Sequence, residues 1–171
     1  MANSAHDTPM PKALIVKEGL QVGALPWRVR HRTLEFLLVT SRQSRHWLIP
    51  KGWPMPGKSN REAALQEAFE EAGITGVGSA GPIGSYRFQK AMHDGSELPC
   101  VMSVYGMSDV HELDAWPEME QRERLWVPQP EALEMIFDWS LARFLAELTL
   151  DRFGKLAVGG PVSTNAGAAP R

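Results

Sequence analysis

The apolar positions of this chain fall into short runs separated by Gly, Pro and polar residues, which favours strands over helices. "LQVGALPWRVR", Leu20 to Arg30, reads as a first strand interrupted by Pro26. Proline cannot donate to a ladder, so an edge or bulged strand is expected there. "LEFLLVT", Leu34 to Thr40, is a clearer strand, and "HWLIP" is a short one stopped by Pro50. A loop from Lys51 to Lys58 follows, holding Gly52, Pro54, Pro56 and Gly57. The pattern then predicts a helix from Asn60 to Ala72. Ser59 and Glu62 form a capping box at its start, and Gly73 is the natural residue to end it. Ile83–Lys90 and Leu98–Met107 predict a hairpin with Gly95 in its turn. A loop through Asp114, Trp116 and Pro117 leads to a short strand at Arg124–Val127. The last element reads as helical from Gln129 to Phe153, in two pieces broken near Asp138 to Ser140. A mixed sheet with few helices, placed on both of its sides, is an α+β fold.

At 171 residues the chain is expected to form one domain with a real core. Residues 1–10 and the Gly-, Ala- and Pro-rich tail 158–171 are expected to be disordered, leaving a domain over 11–157. The formal charge of −2 predicts no bulk attraction to nucleic acid or to a membrane. The single cysteine, Cys100, excludes an internal disulfide and fits a reducing compartment. No apolar run approaches the roughly 18 residues of a membrane span. The opening "MANSAHDTPMPK" lacks the apolar centre of a signal peptide, so a cytoplasmic location is expected.

One helical stretch stands out for its charge. Glu67, Glu70 and Glu71 crowd the end of the Asn60–Ala72 helix, and no Lys or Arg sits three or four residues from any of them. On a helical wheel Leu65, Ala68, Phe69 and Ala72 share an arc of roughly 100°, which predicts the core face, and the three glutamates share the opposite arc. A merely solvated face fits poorly. Glu67 and Glu71 are a like-charge i,i+4 pair. Glu70 and Glu71 also lie in the last turn, where the helix dipole disfavours anions. A cation from outside the helix would relieve both. Carboxylate oxygens are hard ligands, so Mg²⁺ or Mn²⁺ is the natural candidate.

The stretch "IPKGWPMPGKSNREAALQEAFEEAGI" resembles the signature of the Nudix hydrolases: G, five residues, E, seven residues, then R-E-U-x-E-E-x-G-U, with U aliphatic. Gly52, Glu67, Glu70, Glu71, Gly73 and Ile74 stand in register, with Ala68 at the first aliphatic place. Two positions depart: Lys58 replaces the motif Glu and Gln66 the motif Arg. One change loses an acid and the other a base, so the two look linked. "LLVTSRQSRHWLIPKG" and "WPEMEQRERLWVPQPEALEMI" extend the likeness toward the diphosphoinositol polyphosphate phosphohydrolase branch, in its bacterial form.

The resemblance implies an α/β/α sandwich and a metal-dependent pyrophosphohydrolase. Its substrate would be a nucleoside or dinucleoside polyphosphate or a diphosphoinositol polyphosphate. Removal of pyrophosphate from RNA 5′ ends is an alternative, as is a domain that keeps the fold, binds nucleotide and no longer turns over. Glu67, Glu70 and Glu71 would hold Mg²⁺ or Mn²⁺. Glu67, Glu70 and a loop glutamate, Glu120, would be catalytic, with Glu118 and Glu123 competing for the role of Glu120. Arg42, Lys51, Gly52, Lys58, Lys90 and Arg122 would meet the substrate, since a polyphosphate needs several cations. Trp47, Trp53 and Trp126 read as packing residues, although Trp53 could touch a substrate ring. The expected partner is a small polyphosphate, not nucleic acid or membrane, bound by a monomer or homodimer.

Overall fold

The computed structural model describes residues 17–151 and 154–159. The first half holds β1 (Gly19–Arg30), β2 (Thr33–Thr40), β3 (Trp47–Leu48), β4 (Lys51–Gly52), α1 (Asn60–Ala72) and β5 (Ile74–Gly78). The second holds β6 (Gly84–Ala91), β7 (Glu97–Glu112), β8 (Arg124–Pro128), α2 (Gln129–Met135), α3 (Trp139–Ala146), β9 (Leu148–Leu150) and β10 (Leu156–Val158). The segment 1–10 and most of the expected tail lie outside the described residues. Val158, expected to begin that tail, closes the β9–β10 hairpin instead.

Eight strands form one mixed sheet whose main path is β3-β2-β1-β7-β5, with β4 beside β1, β6 beside β7 and β8 beside β2. β2 shows why the sheet is covered on both sides. Phe36 and Leu38 join a core with Ala132 of α2 and Leu141, Phe144 and Leu145 of α3. Leu37 and Val39 join a second core with Ala63, Ala64, Ala68 and Ala72 of α1. The result is the α+β sandwich expected from the sequence: α1 on one face, α2 and α3 on the other.

β1 is not an edge strand. Gly19 to Pro26 run parallel to β7, and Trp27 to Arg30 pair antiparallel with β2. Pro26 ends one ladder and Trp27 begins the next, so the missing N–H falls where the strand changes partners. The predicted last helix is also shorter. α3 stops at Ala146, and Leu148 and Leu156 are buried in the core through the small hairpin. Among the described residues no helix is long and apolar enough to cross a membrane.

Candidate active site

The site is built around α1, whose start and stop follow the sequence. The Ser59 hydroxyl accepts from the Glu62 N–H, the Glu62 carboxylate accepts from the Ser59 N–H, and Gly73 ends the helix at φ 61°. The phase of the helix differs from the expected one. Ala63, Ala64, Ala68 and Ala72 are fully buried, and Phe69 is 36% exposed. The buried arc is therefore turned by about 100° toward the glutamates. Small residues let α1 lie close on the sheet, and Glu71 comes to rest inside the contact at 7% exposure.

Two arginines supply the cations that α1 lacks. The Arg122 side chain is 7% exposed and spends all its nitrogens on protein. It donates to Glu71 Oε1 at 2.6 Å, to the Thr40 carbonyl at 3.0 Å, and to Glu118 through Nε. Arg124 donates to the carbonyls of Ala72 and Gly73, at 2.8 and 3.0 Å, and so offsets the negative end of the helix dipole. Trp116 packs against Gly73, where a side chain would collide with its ring, and its own ring lies 4.1 Å below the Arg124 guanidinium. The loop after β7 is thereby fastened to the end of α1. Expected to meet the substrate, Arg122 instead gives its nitrogens to Glu71, Glu118 and the Thr40 carbonyl. Its place in the fold is to neutralise Glu71.

The other oxygen of Glu71 accepts from the backbone N–H of Lys51 at 3.0 Å. Even so, burial pushes its carboxyl pKa up to about 7, with Arg122 and the Lys51 N–H pulling against that rise. Glu70 accepts from Gln66 Nε2 at 2.7 Å, a neutral bond where the signature has a guanidinium. Glu67 differs from both. Among the described residues it accepts no hydrogen bond and joins no ion pair. Burial raises its pKa, and the charges of Glu70 and Glu118 raise it further. Its carboxylate occupies the space that a side chain at Gly52 would fill. Gly52 is therefore required by the acid beside it.

Lys51 joins this centre to the opposite face of the sheet. Its Nζ donates to Oε1 of the buried Gln21 at 3.1 Å and stands 5.4 Å from the Phe88 ring centroid. Burial lowers its pKa, and the nearby charge of Lys90 lowers it further. The Lys90 ammonium lies 5.5 Å from the Trp53 ring centroid. Lys51, Lys90 and Trp53 thus lie near one another, and the Lys51 charge acts on Glu67. Arg42 lies at the rim, 60% exposed and 3.8 Å from Glu118. Lys58 is exposed on the loop before α1, where its charge acts on Glu62. No hydrogen bond or ion pair joins it to Gln66 among the described residues.

Glu118, not Glu120, is the loop acid turned toward the cluster. Its backbone N–H donates to the Glu70 carbonyl and its charge acts on Glu67 and Glu71, while Glu120 is exposed. Sequence reasoning also missed Gln21. Gln21 had a visible signal, as a polar residue inside an apolar strand.

Among the described residues no three His, Cys, Asp or Glu side chains converge as a closed metal cage. Glu71 has both oxygens committed. Glu67 and Glu70 still fit a hard divalent ion, because Mg²⁺ is commonly held by one or two carboxylates together with waters and substrate phosphates.

A model of the NUDIX domain matches residues 17–148. The chain is 32% identical over 130 residues to Nudix hydrolase 4 of Arabidopsis thaliana, covering 69% of this chain and 59% of that protein. It therefore spans less than two thirds of that relative's length. It is 30% identical over 111 residues to the asymmetrical bis(5'-nucleosyl)-tetraphosphatase of Sus scrofa, covering 63% of this chain and 74% of that one. Among solved structures it is similar to the MutT protein of Methanosarcina mazei Go1, at 25% identity and a TM-score of 0.59, over 78% of this chain and 94% of that one. Matched over most of its described length, with Glu67 of the signature set against Gly52, the chain belongs to the NUDIX family.

Proposed function

We propose that this protein is a pyrophosphohydrolase that uses Mg²⁺ or Mn²⁺ to cleave a phosphoanhydride in a nucleoside or dinucleoside polyphosphate. The observation that carries this reading is Glu67, an acid with no partner among the described residues that feels the charge of Lys51. The name of the pig relative, a nucleosyl tetraphosphatase, supports the substrate class.

Glu67 and Glu70 would hold the ion. When bound, it supplies positive charge to a phosphoryl oxygen and acidifies a water. Glu67 is the acid without a partner among the described residues, so one of its oxygens can take the proton of the attacking water. Lys51 and Lys90 neutralise the phosphates, with Arg42 and Lys58 at the rim. Gln66 orients Glu70. Arg122 favours the ionised form of Glu71 against its burial, and Glu71 in turn fixes the backbone of Lys51. Glu118 replaces Glu120 as the loop acid of the site.

Hydrolysis of diadenosine tetraphosphate, followed by nucleotide product, tests the reading. EDTA should abolish turnover and Mg²⁺ should restore it. Full activity in a metal-free sample would overturn the metal-dependent mechanism. Absence of turnover on nucleoside and dinucleoside polyphosphates would overturn the activity.

A further inference from the structure

A cavity of about 300 Å³ lies between β1, β7, the end of β5 and the β9–β10 hairpin. That volume is at the lower limit of small-molecule sites. None of the residues described for the candidate active site lines it. Val77, Ile83 and Leu156 give it apolar walls, together with the Trp27 ring. Lys155 also lines it, and no Asp or Glu does.

The hydrogen-bonding groups around the cavity are unevenly spent. Arg61 of α1 donates to the Gly78 and Ser79 carbonyls, each at 3.0 Å. The Gly106 carbonyl accepts from the Ser79 N–H at 2.7 Å. The Ser79 hydroxyl accepts from the Gly106 N–H at 3.1 Å and donates to the Gly81 carbonyl at 2.7 Å. These acceptors are occupied, whereas donors are left over. Among the described residues the Trp27 indole N–H, the Lys155 ammonium and the Ser108 hydroxyl make no hydrogen bond or ion pair. A Cβ placed at Gly106 would lie 3.5 Å from Trp27 Nε1, so the indole nitrogen is turned to this wall. An indole N–H and an ammonium can only donate, so their partner must accept.

We propose that this cavity binds a small organic monocarboxylate with a compact apolar body. The carboxylate accepts from the Trp27 indole and the Lys155 ammonium, and the body packs against Val77, Ile83 and Leu156. Each part of the ligand answers an observation. A neutral apolar molecule would leave the donors unmet, and a cation would be repelled by Lys155. A bare inorganic anion would leave the apolar walls uncovered. A polyphosphate would bring several charges to one ammonium. The site is independent of the hydrolytic reading, because it shares no residue with the acids of α1.

Phenylacetate is a suitable probe, titrated into the full ¹⁵N-labelled chain and followed by NMR. The chain has six tryptophans, and one indole N–H resonance should shift: the one missing from Trp27→Phe. That variant keeps a ring in the wall and removes the donor. Lys155→Gln should weaken phenylacetate binding about tenfold, the scale of one hydrogen bond to a charged group. It should leave Tm unchanged, because Lys155 is exposed. Phenylacetamide, the neutral isostere, should bind the wild type about tenfold more weakly than phenylacetate. Acetate, which lacks the apolar body, should also bind more weakly. A Trp27 resonance that does not move, or a Lys155→Gln variant that binds phenylacetate as tightly as the wild type, overturns the site. Acetate or phenylacetamide matching phenylacetate overturns the class of ligand.

Discussion

Glu67 and Glu71 stand one turn apart on the same helix, yet they occupy opposite electrostatic situations. Glu71 is buried, and its two oxygens are held by Arg122 and by the Lys51 backbone. Glu67 is half-buried, lies against Gly52, and has no partner among the described residues. The first arrangement is that of a structural ion pair, in which the charge is balanced before any ligand arrives. The second is that of a reactive group, in which balance waits for a cation or a proton. An acidic cluster on a helix thus need not act as one unit. Its inner end is held by the fold, and Glu67 is not.

The largest expected effect lies at the inner end. Arg122→Met leaves Glu71 buried without its cation, which should cost about 3–5 kcal/mol in unfolding free energy. The loss should depend on pH. The Glu71 pKa rises from 4.5 to about 7 on folding, so the folded state binds more protons across that window. Stability therefore falls as pH increases from 4.5 to 7, and it is in the upper part of that range that Arg122 is needed. Denaturation at about pH 5 should show a smaller penalty for Arg122→Met than at about pH 8. Equal penalties would mean that Glu71 is ionised throughout.

At the outer end the effect should appear in rate and not in stability. Glu67→Gln should lower kcat on the order of 100-fold, the scale for losing one preorganised electrostatic group. Its Tm should hold or rise, since repulsion from Glu70 and Glu118 is removed. A matching fall in Tm would make Glu67 a second structural acid and dissolve the contrast.

A smaller effect checks the phase of α1. Phe69→Ala should cost about 1 kcal/mol or less, as expected for a partly exposed residue. Ala68→Leu should cost about 1–3 kcal/mol through overpacking. The reverse order would turn the helix back to its sequence-derived face. The smallest effect concerns the two departures from the signature. Lys58 sits by Glu62, and Gln66 bonds Glu70. Combining Lys58→Glu with Gln66→Arg should therefore be additive in unfolding free energy within about 0.3 kcal/mol. A coupling above about 0.5 kcal/mol would restore the view that the two positions compensate each other.

The limits of α1 were legible because Ser59, Glu62 and Gly73 act through local hydrogen bonds. Its orientation was not. A hydrophobicity pattern gives Leu65 and Phe69 more weight than alanine, whereas close approach to a sheet selects small side chains. The neutralisation of Glu71 was hidden for a different reason: Arg122 is 51 positions away, and only the loop pinned by Trp116 and Glu118 brings it back. β5 went unread because Gly76 and Gly78 dilute its pattern. α3 was overextended because Leu148 and Leu150 continue the apolar spacing, although their contacts are made as strand residues. The Lys51 and Lys90 pair was visible as candidate cations, but their convergence depends on β4 and β6 flanking the β1–β7 ladder.

Lys51 has two attachments of different kinds. Its backbone N–H serves Glu71, and its side chain serves the opposite face of the sheet. Any residue except proline can provide the first, whereas only a long cation provides the second. Position 51 can therefore change its side chain without disturbing the anchored acid. A lineage could retune what it recognises there in a single substitution, with the backbone anchor of Glu71 inherited intact.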